Sequence, residues 1–267
     1  MIINWGYLPM RYNVLQKVTR ADVRMHPYPH VIIEEALPWD VYDELDATFP
    51  EELLASDFPN IVNDRGHTRR YLSSRVLEDQ KVSTAWQDFF QYHISDEFYK
   101  HVTQNIFDEA IKAYYPDQYD AILSTPSQPR RHVNQVNQTS PIVTDCQFVM
   151  NNPLPESSTS RTPHLDNPVE IYAALLYMKK RDDESTGGDL EVWESDEDRP
   201  DLQGKREAVM SKIRKVGACP YKPNSLVLFL NCRHGVHGVG NIINQTKVRR
   251  SINIIGEYGD GRSVFRM

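Results

Sequence analysis

The first half of the chain carries apolar side chains mainly at helical spacing. Residues 83–94 and 96–115 repeat them three and four positions apart, which predicts two helices that each bury one face. Ser95, followed by two acidic residues, is a typical cap for the second helix. A further helix is predicted to begin near Pro38, and residues 30–34 form a short apolar run typical of a strand.

From Val143 onward the pattern changes to short apolar runs separated by turn residues, which predicts an all-β half. Residues 194–216 interrupt this half with a charged stretch that has no clear period. Because this stretch lies between two predicted strands, it is either a lid over a site or a long excursion. The predicted strands cover residues 146–150, 171–178, 190–193, 226–230 and 247–255.

The composition is that of an ordinary globular protein. The 267 residues are 40% hydrophobic, which suits one domain with a sizeable core. We predict a single domain over residues 1–267, with an N-terminal strand and supporting helices in 1–140 and a β core in 141–260. No apolar run is long enough to cross a membrane, and the first residues do not resemble a signal peptide, so we expect a cytoplasmic protein without a membrane partner.

The net charge and the cysteines further limit the partners and metal sites that the sequence allows. A net charge of −7 disfavours nucleic acid as a partner. The three cysteines have no paired short spacing, so they predict neither disulfides nor a zinc knuckle. Residues 64–75 carry four arginines, and Arg69 and Tyr71 would share a face if the segment is extended. This cluster is either a clamp for an anionic substrate group or a solvated loop that pairs with acidic residues.

His164 and Asp166 are the first candidates for chemistry. On an extended strand, residues i and i+2 point the same way, so these two can offer a nitrogen and a carboxylate oxygen to one ion. One more histidine would complete a set of two histidines and one carboxylate. Such a facial set suits ferrous iron, because three neighbouring coordination positions stay open for a chelating co-substrate and dioxygen.

Arg249 and Ser251 give context to that pair, which alone would be a weak motif. Alternation along residues 247–255 places both on one face of the predicted strand and Arg250 on the other. A guanidinium beside a hydroxyl suits the binding of a carboxylate. The metal set and the clamp together predict a co-substrate that chelates a metal through one end and is held as an acid at the other.

These residues and the motifs between them resemble the iron(II)- and 2-oxoglutarate-dependent dioxygenases over roughly residues 140–258. The family order is H-x-D, a strand ending in Tyr, a Gly-Gly turn with an apolar strand, a distal His and R-x-S. The first two motifs are most similar to the prolyl-hydroxylase-type branch, and much of the remaining chain resembles uncharacterised microbial and phage members. The matching stretches are His164-Leu165-Asp166-Asn167-Pro168, Leu175-Leu176-Tyr177, Gly187-Gly188-Asp189-Leu190-Glu191-Val192, His237-Gly238-Val239 and Arg249-Arg250-Ser251.

Two histidines compete for the distal position, because His234 and His237 both begin a His-Gly-Val tripeptide. His237 lies 12 residues before Arg249, which is similar to the usual family interval, whereas His234 lies 15 residues before it. His237 is therefore the predicted ligand. On a regular strand His234 would face away, as a hydrogen-bonded neighbour or a rim residue, although a bulge would reverse the assignment.

The resemblance implies a mainly β fold with added helices, the cupin-like double-stranded β-helix or jelly roll, with the N-terminal helices packed on one sheet. It implies Fe(II), 2-oxoglutarate and O2 as cofactor and co-substrates. Arg249 and Ser251 would bind the distal carboxylate, and Tyr177 would either add a hydrogen bond or belong to the core. The residues implied for the iron are His164, Asp166 and His237.

The predicted activity is hydroxylation of an unactivated C–H bond of a small molecule, with release of succinate and CO2. Asp166 favours hydroxylation over halogenation, because halogenating relatives typically lack this carboxylate. Desaturation, cyclisation and a prolyl-type peptidyl hydroxylase are the alternatives, and a non-enzymatic metal-binding jelly roll has no need of the clamp. The residues predicted to contact the substrate are Arg69, Tyr71, Gln147 and Asn151, whereas the substrate and the oligomeric state are not predicted.

Overall fold

The structure is a computed structural model that describes residues 10–57, 68–130, 140–153, 159–195, 200, 202–203 and 206–266. In these residues, helices α1 to α7 lie at Trp39–Ala47, Glu51–Asp57, Ser73–Val76, Thr84–His93, Asp96–Lys100, Asp108–Tyr114 and Tyr119–Ser124, and a π-helix lies at His101–Ile106. Strands β1 to β14 lie at His30–Ile33, Thr68–Leu72, Gln128–Pro129, Ile142–Asn151, Glu170–Tyr177, Thr186–Gly187, Leu190–Ser195, Leu202–Gln203, Glu207–Ala208, Ile213–Cys219, Leu226–Leu230, His237–Val239, Ile242–Ile243 and Arg249–Tyr258. Across the described ranges, no helix combines the length and apolarity needed to span a membrane.

Two facing sheets form the core of the fold. The major sheet has the order β1-β11-β5-β14-β4-β2, with β3 beside β4, and the minor sheet has the order β10-β7-β12. Phe229 of β11 meets His237 of β12 across the gap, with ring centroids 4.5 Å apart. The described strands do not close into a continuous barrel. The predicted fold class, a double-stranded β-helix with helices on one sheet, is confirmed.

The outer face of the major sheet is covered by helices. Phe148 of β4 lies 4.7 Å from Trp86 and 4.7 Å from Phe90 of α4, measured between ring centroids. Burial of each such aromatic ring contributes about 1.5–3 kcal/mol. Because side chains alternate along a strand, the neighbours of Phe148 in β4 face the minor sheet instead. Gln147 of β4 and Asn253 of β14, which are paired in register, therefore belong to the inner face.

The predicted helix over residues 96–115 is divided in the structure. Ser95 caps α5 as expected, since its hydroxyl accepts the Phe98 N–H at 3.1 Å. The chain then widens into the π-helix, where the Phe107 N–H donates to the Val102 carbonyl at 2.9 Å. Both of these apolar residues are buried. The wider turn keeps them on the core side, which a regular helical period does not reveal.

The charged stretch at 194–216 lies partly outside the described residues, which omit 196–199, 201 and 204–205. The part that is described contains the short β8–β9 pair and the start of β10. Its chain returns beside the H-x-D motif, because the Leu165 N–H donates to the Arg206 carbonyl at 3.1 Å and Glu207 bridges to His164. The excursion therefore touches the candidate site, as either interpretation of this stretch allows.

Candidate active site

Three predicted metal ligands converge between the two sheets. One ligand atom from each of His164, Asp166 and His237 lies within 4.8 Å of the other two. Nε2 of His164 is 3.4 Å from one oxygen of Asp166, and Nε2 of His237 is 3.4 Å from the other. The structure thus brings together two imidazole nitrogens and one carboxylate, a set whose chemistry fits Fe(II).

Backbone pairing fixes both histidines. The His164 N–H donates to the His237 carbonyl at 2.8 Å, and the His237 N–H donates back to the His164 carbonyl at 3.1 Å. Each ring also forms a hydrogen bond through Nδ1 to a nearby backbone carbonyl. Nδ1 of His164 lies 2.8 Å from the Thr162 carbonyl oxygen, and Nδ1 of His237 lies 2.9 Å from the Gly235 carbonyl oxygen. A carbonyl oxygen only accepts, so Nδ1 carries the proton and Nε2 keeps its lone pair for a metal.

The H-x-D motif does not lie on a regular strand, contrary to the simplest prediction. His164 makes only isolated bridges, and the residues that follow it are irregular. The alternation still holds locally, because Leu165 turns away and packs with Ala208 and Val236 in a small separate cluster. The packing of Leu165 in this cluster, and not pairing along a continuous strand, directs the side chains of His164 and Asp166 to the same side.

His234 lies in the turn before β12 and outside the triad. Its Nε2 is 3.3 Å from Nε of Arg233. The structure therefore gathers His237, not His234, with the other two predicted ligands. The three-residue offset between the histidines places only one of them on the strand that pairs with the H-x-D segment.

Burial and the triad itself set the protonation of the three groups. Burial lowers the pKa of His164 to about 4, so this ring is neutral near pH 7. Burial also opposes charge on His237, but the adjacent Asp166 outweighs it and raises the pKa of His237. Burial would raise the pKa of Asp166, yet the two imidazoles hold it well below its usual range. Asp166 is therefore an anionic ligand that a divalent cation can use.

The predicted carboxylate clamp lies on the major sheet. Arg249 and Ser251 occupy one face of β14, and Ser251 pairs in register with Tyr177 of β5. Arg249 is only 5% exposed, yet its Nη1 has no hydrogen-bond partner, and the Tyr177 hydroxyl has none either. In the part of the chain that the structure describes, no carboxylate lies within ion-pair distance of Arg249. A buried cation without a counter-ion fits an acid that arrives from outside.

Arg250 faces the helices, as the alternation of the strand predicts. Its guanidinium pairs with Asp46 of α1, and its Nε donates to the Met178 carbonyl at 2.9 Å. The two neighbouring arginines therefore have opposite surroundings. Arg250 is paired with a protein acid on the outer face, whereas Arg249 on the inner face has no such partner within the described ranges.

Two contributors to the clamp carry no signal in the sequence pattern. The ring centroid of Tyr221, which lies in a turn before β11, is 3.8 Å from Cζ of Arg249. Gly188 has φ +73°, and a Cβ at this residue would lie 2.8 Å from Nη1 of Arg249. The Gly-Gly motif indicated a turn but not this contact. A lone tyrosine in a turn has no period that would link it to a residue on a distant strand.

The candidate substrate residues have different outcomes. Gln147 is buried on the inner face, where its Nε2 donates to Asp145 at 2.8 Å and its Oε1 has no partner. Asn151 ends β4 directly opposite Arg249. The backbones of Arg69 and Tyr71 lie in β2, but their side chains, like all of residues 58–67, lie outside what the structure describes.

Comparison with known proteins agrees with this site. Residues 149–255 match the model of the 2OG-Fe(II) oxygenase superfamily, a span that includes the triad, Tyr177, Arg249 and Ser251. No curated protein matches the chain.

Several solved structures are similar in outline. A prolyl-4-hydroxylase from Pseudomonas putida shares 15% identity and a TM-score of 0.44, covering 94% of this chain and 99% of that one. A prolyl hydroxylase from Trichoplax adhaerens, solved with a hypoxia inducible factor peptide, shares 13% identity and a TM-score of 0.41, covering 94% and 89%. The alpha ketoglutarate dependent epimerase SnoN from nogalamycin biosynthesis shares 11% identity and a TM-score of 0.44, covering 86% and 78%. Scores this low carry no information about the substrate.

The family match and the triad concern the same segment of the chain. Within residues 149–255, the matched motifs stand in the family order, and the three ligand atoms converge in space. Residues 149–255 thus carry both the match to the 2OG-Fe(II) oxygenase superfamily and the metal triad, and together these support a 2-oxoglutarate-dependent dioxygenase.

Proposed function

We propose that the protein hydroxylates an unactivated C–H bond of a small molecule. In the balanced reaction, one atom of O2 enters the substrate as a hydroxyl and the other enters succinate, while 2-oxoglutarate loses CO2. The observation that carries the proposal is the buried Arg249, which lies on the sheet that faces the triad and has no counter-ion in the part of the chain that the structure describes. A metal site without that clamp would not imply a diacid.

His164, Asp166 and His237 would hold the iron through two nitrogens and one oxygen. Bound iron supplies the activation of dioxygen that C–H cleavage requires. Asp166 would contribute the negative charge that stabilises a divalent cation, because a carboxylate ligand is anionic. The Nδ1 hydrogen bonds hold both rings at a fixed angle, with Nε2 of each ring directed toward Asp166.

Arg249 and Ser251 would bind the distal carboxylate of 2-oxoglutarate, with the Tyr177 hydroxyl as a further donor. This would orient the keto-acid end of the co-substrate toward the triad, whose His237 lies on the opposite sheet. Phe229 lies against His237 and excludes water from that side of the ring. Positioning and exclusion of water are thus the work of the protein.

A compact polar substrate fits the inner face best. Gln147 and Asn253 are paired across β4 and β14, and each has a buried carbonyl oxygen without a partner. Leaving such an atom unpaired costs about 1–3 kcal/mol, which a substrate N–H or O–H would offset. These two amides support a small molecule with hydrogen-bond donors.

Mass spectrometry of the product tests the proposal. We expect a panel of polar small molecules to contain a compound that drives succinate release and gains one oxygen atom, even with chloride in excess. A chlorinated product would indicate halogenation, and loss of two hydrogens would indicate desaturation or cyclisation. Proline-containing peptides serve as the second panel, because turnover of peptides alone would overturn the small-molecule assignment.

A further inference from the structure

Arg249 lies against two tyrosine rings and, among the described residues, is not paired with a protein acid. Its guanidinium carbon lies 3.8 Å from the ring centroid of Tyr221 and 4.8 Å from that of Tyr177. The two rings meet edge to face, with centroids 5.1 Å apart and planes at 83°. Both tyrosines are buried, so aromatic surface replaces much of the water around this cation.

Such a contact stabilises a buried cation without neutralising it. A guanidinium that leaves water loses hydration, and a carboxylate beside it would restore this loss but cancel the charge. An aromatic face attracts the cation through its quadrupole and leaves the N–H groups in the guanidinium plane available. Nη1 of Arg249 is such a group, because it is buried and has no partner.

Tyr221 is itself held at two points. Its backbone N–H donates to Asp189 Oδ1 at 2.9 Å, and its hydroxyl oxygen accepts the Arg250 N–H at 3.1 Å. Gly188 bounds the guanidinium on another side, since a Cβ there would lie 2.8 Å from Nη1 of Arg249. The guanidinium plane is therefore set by its surroundings before a ligand arrives.

We propose that Tyr221 is a positioning residue for the co-substrate, acting through Arg249 to select 2-oxo acids that carry a second carboxylate. The inference rests on the proposed function, because it takes 2-oxoglutarate as the acid that Arg249 receives. Tyr221 affects only the distal carboxylate of the ligand, which is the group that the guanidinium would bind. Its effect is therefore confined to ligands with a distal carboxylate.

The test compares 2-oxoglutarate with 2-oxopentanoate, the five-carbon 2-oxo acid that lacks the distal carboxylate. Binding is measured by titration calorimetry on the protein loaded with Zn(II), which permits chelation without turnover. The variants are Tyr221→Leu and Tyr221→Phe. The control is Tyr172→Leu, which removes a buried ring from the face of the major sheet opposite Arg249, where Tyr172 packs near Tyr99.

We expect Tyr221→Leu to weaken 2-oxoglutarate binding by about 3- to 30-fold and to leave 2-oxopentanoate binding unchanged. Tyr221→Phe keeps the ring face and should stay within about 3-fold of the unaltered protein. In an Arg249→Ala background, Tyr221→Leu should add no further loss, because the residue acts through the guanidinium. Tyr172→Leu should not change the ratio of the two affinities.

Equal weakening of both acids by Tyr221→Leu, or no weakening of either, overturns the proposal. If that variant does not fold, Tyr221→Met gives the same comparison with a flexible side chain of similar size. Failure of the proposed function has a different signature, since the unaltered zinc-loaded protein would then bind 2-oxoglutarate no better than 2-oxopentanoate.

Discussion

At the scale of single residues, two backbone carbonyls decide which nitrogen each histidine offers. The carbonyls of Thr162 and Gly235 accept hydrogen bonds from Nδ1–H, so Nε2 of both rings faces Asp166. These carbonyls lie two residues before their histidines, and the arrangement depends only on local backbone geometry. The site therefore presents its ligand atoms in the required tautomer before a metal binds.

Removal of any triad ligand should abolish iron binding and turnover. We expect His164→Ala, Asp166→Ala and His237→Ala each to cost more than the roughly 10- to 100-fold typical of a change beside the ligands. Anaerobic iron titration and succinate release measure this. His234→Ala is the matched control and should bind iron normally, because its ring lies outside the triad. Iron loss in the His234 variant with retention in the His237 variant would reverse the assignment.

Substitution of Arg249 should affect co-substrate binding, whereas substitution of Arg250 should affect the stability of the fold. Arg249→Ala should weaken 2-oxoglutarate binding by about 2–5 kcal/mol, because it removes a charged contact in a closed site. Arg250→Ala should leave that affinity within about 3-fold but lower the free energy of unfolding by about 1–3 kcal/mol, since Asp46 loses its partner. Calorimetry and urea unfolding of both variants check the pair. Equal effects on 2-oxoglutarate affinity would contradict the strand register.

At the scale of elements, the sequence predicts the strands that have a strong pattern. Leu226–Leu230 has the predicted bounds, because a continuous apolar run leaves no doubt about a strand buried on both faces. β14 keeps the predicted alternation, with Arg249 and Arg250 on opposite faces. Both predictions succeed because burial determines which residue types occur at each position of a strand, so the sequence pattern shows which faces are buried.

Other features cannot be predicted from the local sequence pattern, because contacts with distant parts of the chain determine them. The π-helix keeps apolar residues at near-helical spacing, so residues 96–115 read as one helix. His164 is aimed by a bridge to His237 and not by a strand of its own. Tyr221 stacks on Arg249 from a turn, and its contact spans elements that no local pattern connects. Contacts distant in sequence define the site more than periodicity does.

A buried histidine that joins α4 to the N-terminal segment should make stability depend on pH. His93 donates through Nδ1 to the Phe89 carbonyl at 2.7 Å, and its Nε2 accepts the Val14 N–H at 3.4 Å. Burial lowers the pKa of His93 from 6.5 to about 3. The unfolded chain therefore binds this proton first, so stability is retained above about pH 6.5 and lost as the pH falls toward 3.

His93→Gln should make the loss of stability on acidification shallower. One proton taken up on unfolding corresponds to a slope of about 1.4 kcal/mol per pH unit, which the variant should lack. Urea unfolding of both proteins across the acid range measures the slopes. The variant is expected to be less stable near neutral pH, because two hydrogen bonds change. Identical slopes would show that His93 does not stay neutral in the folded protein.

At the scale of the whole molecule, the candidate site spans the two sheets. His237 lies on β12 of the minor sheet, whereas Arg249 lies on β14 of the major sheet. A co-substrate that chelates the metal and reaches the clamp therefore joins the two sheets. Its binding should be visible in the stability of the entire fold.

Addition of 2-oxoglutarate should raise the unfolding temperature only when a metal is bound. At about 100 times its dissociation constant, a ligand contributes about 2.7 kcal/mol, which corresponds to a rise of roughly 5–10 °C for a chain of this size. Differential scanning calorimetry with Zn(II), with 2-oxoglutarate, and with both gives the comparison. The same rise without metal would mean that the acid binds at the clamp alone.

The position of β14 has a consequence for biosynthesis. It is the last strand of the described chain, yet it lies in the middle of the major sheet, between β5 and β4. Until a ribosome delivers residues 249–258, those two neighbours each present an open edge to the solvent or to a chaperone. The same late segment carries Arg249. A nascent chain therefore gains a continuous major sheet and the proposed co-substrate clamp in a single step, when this strand is added.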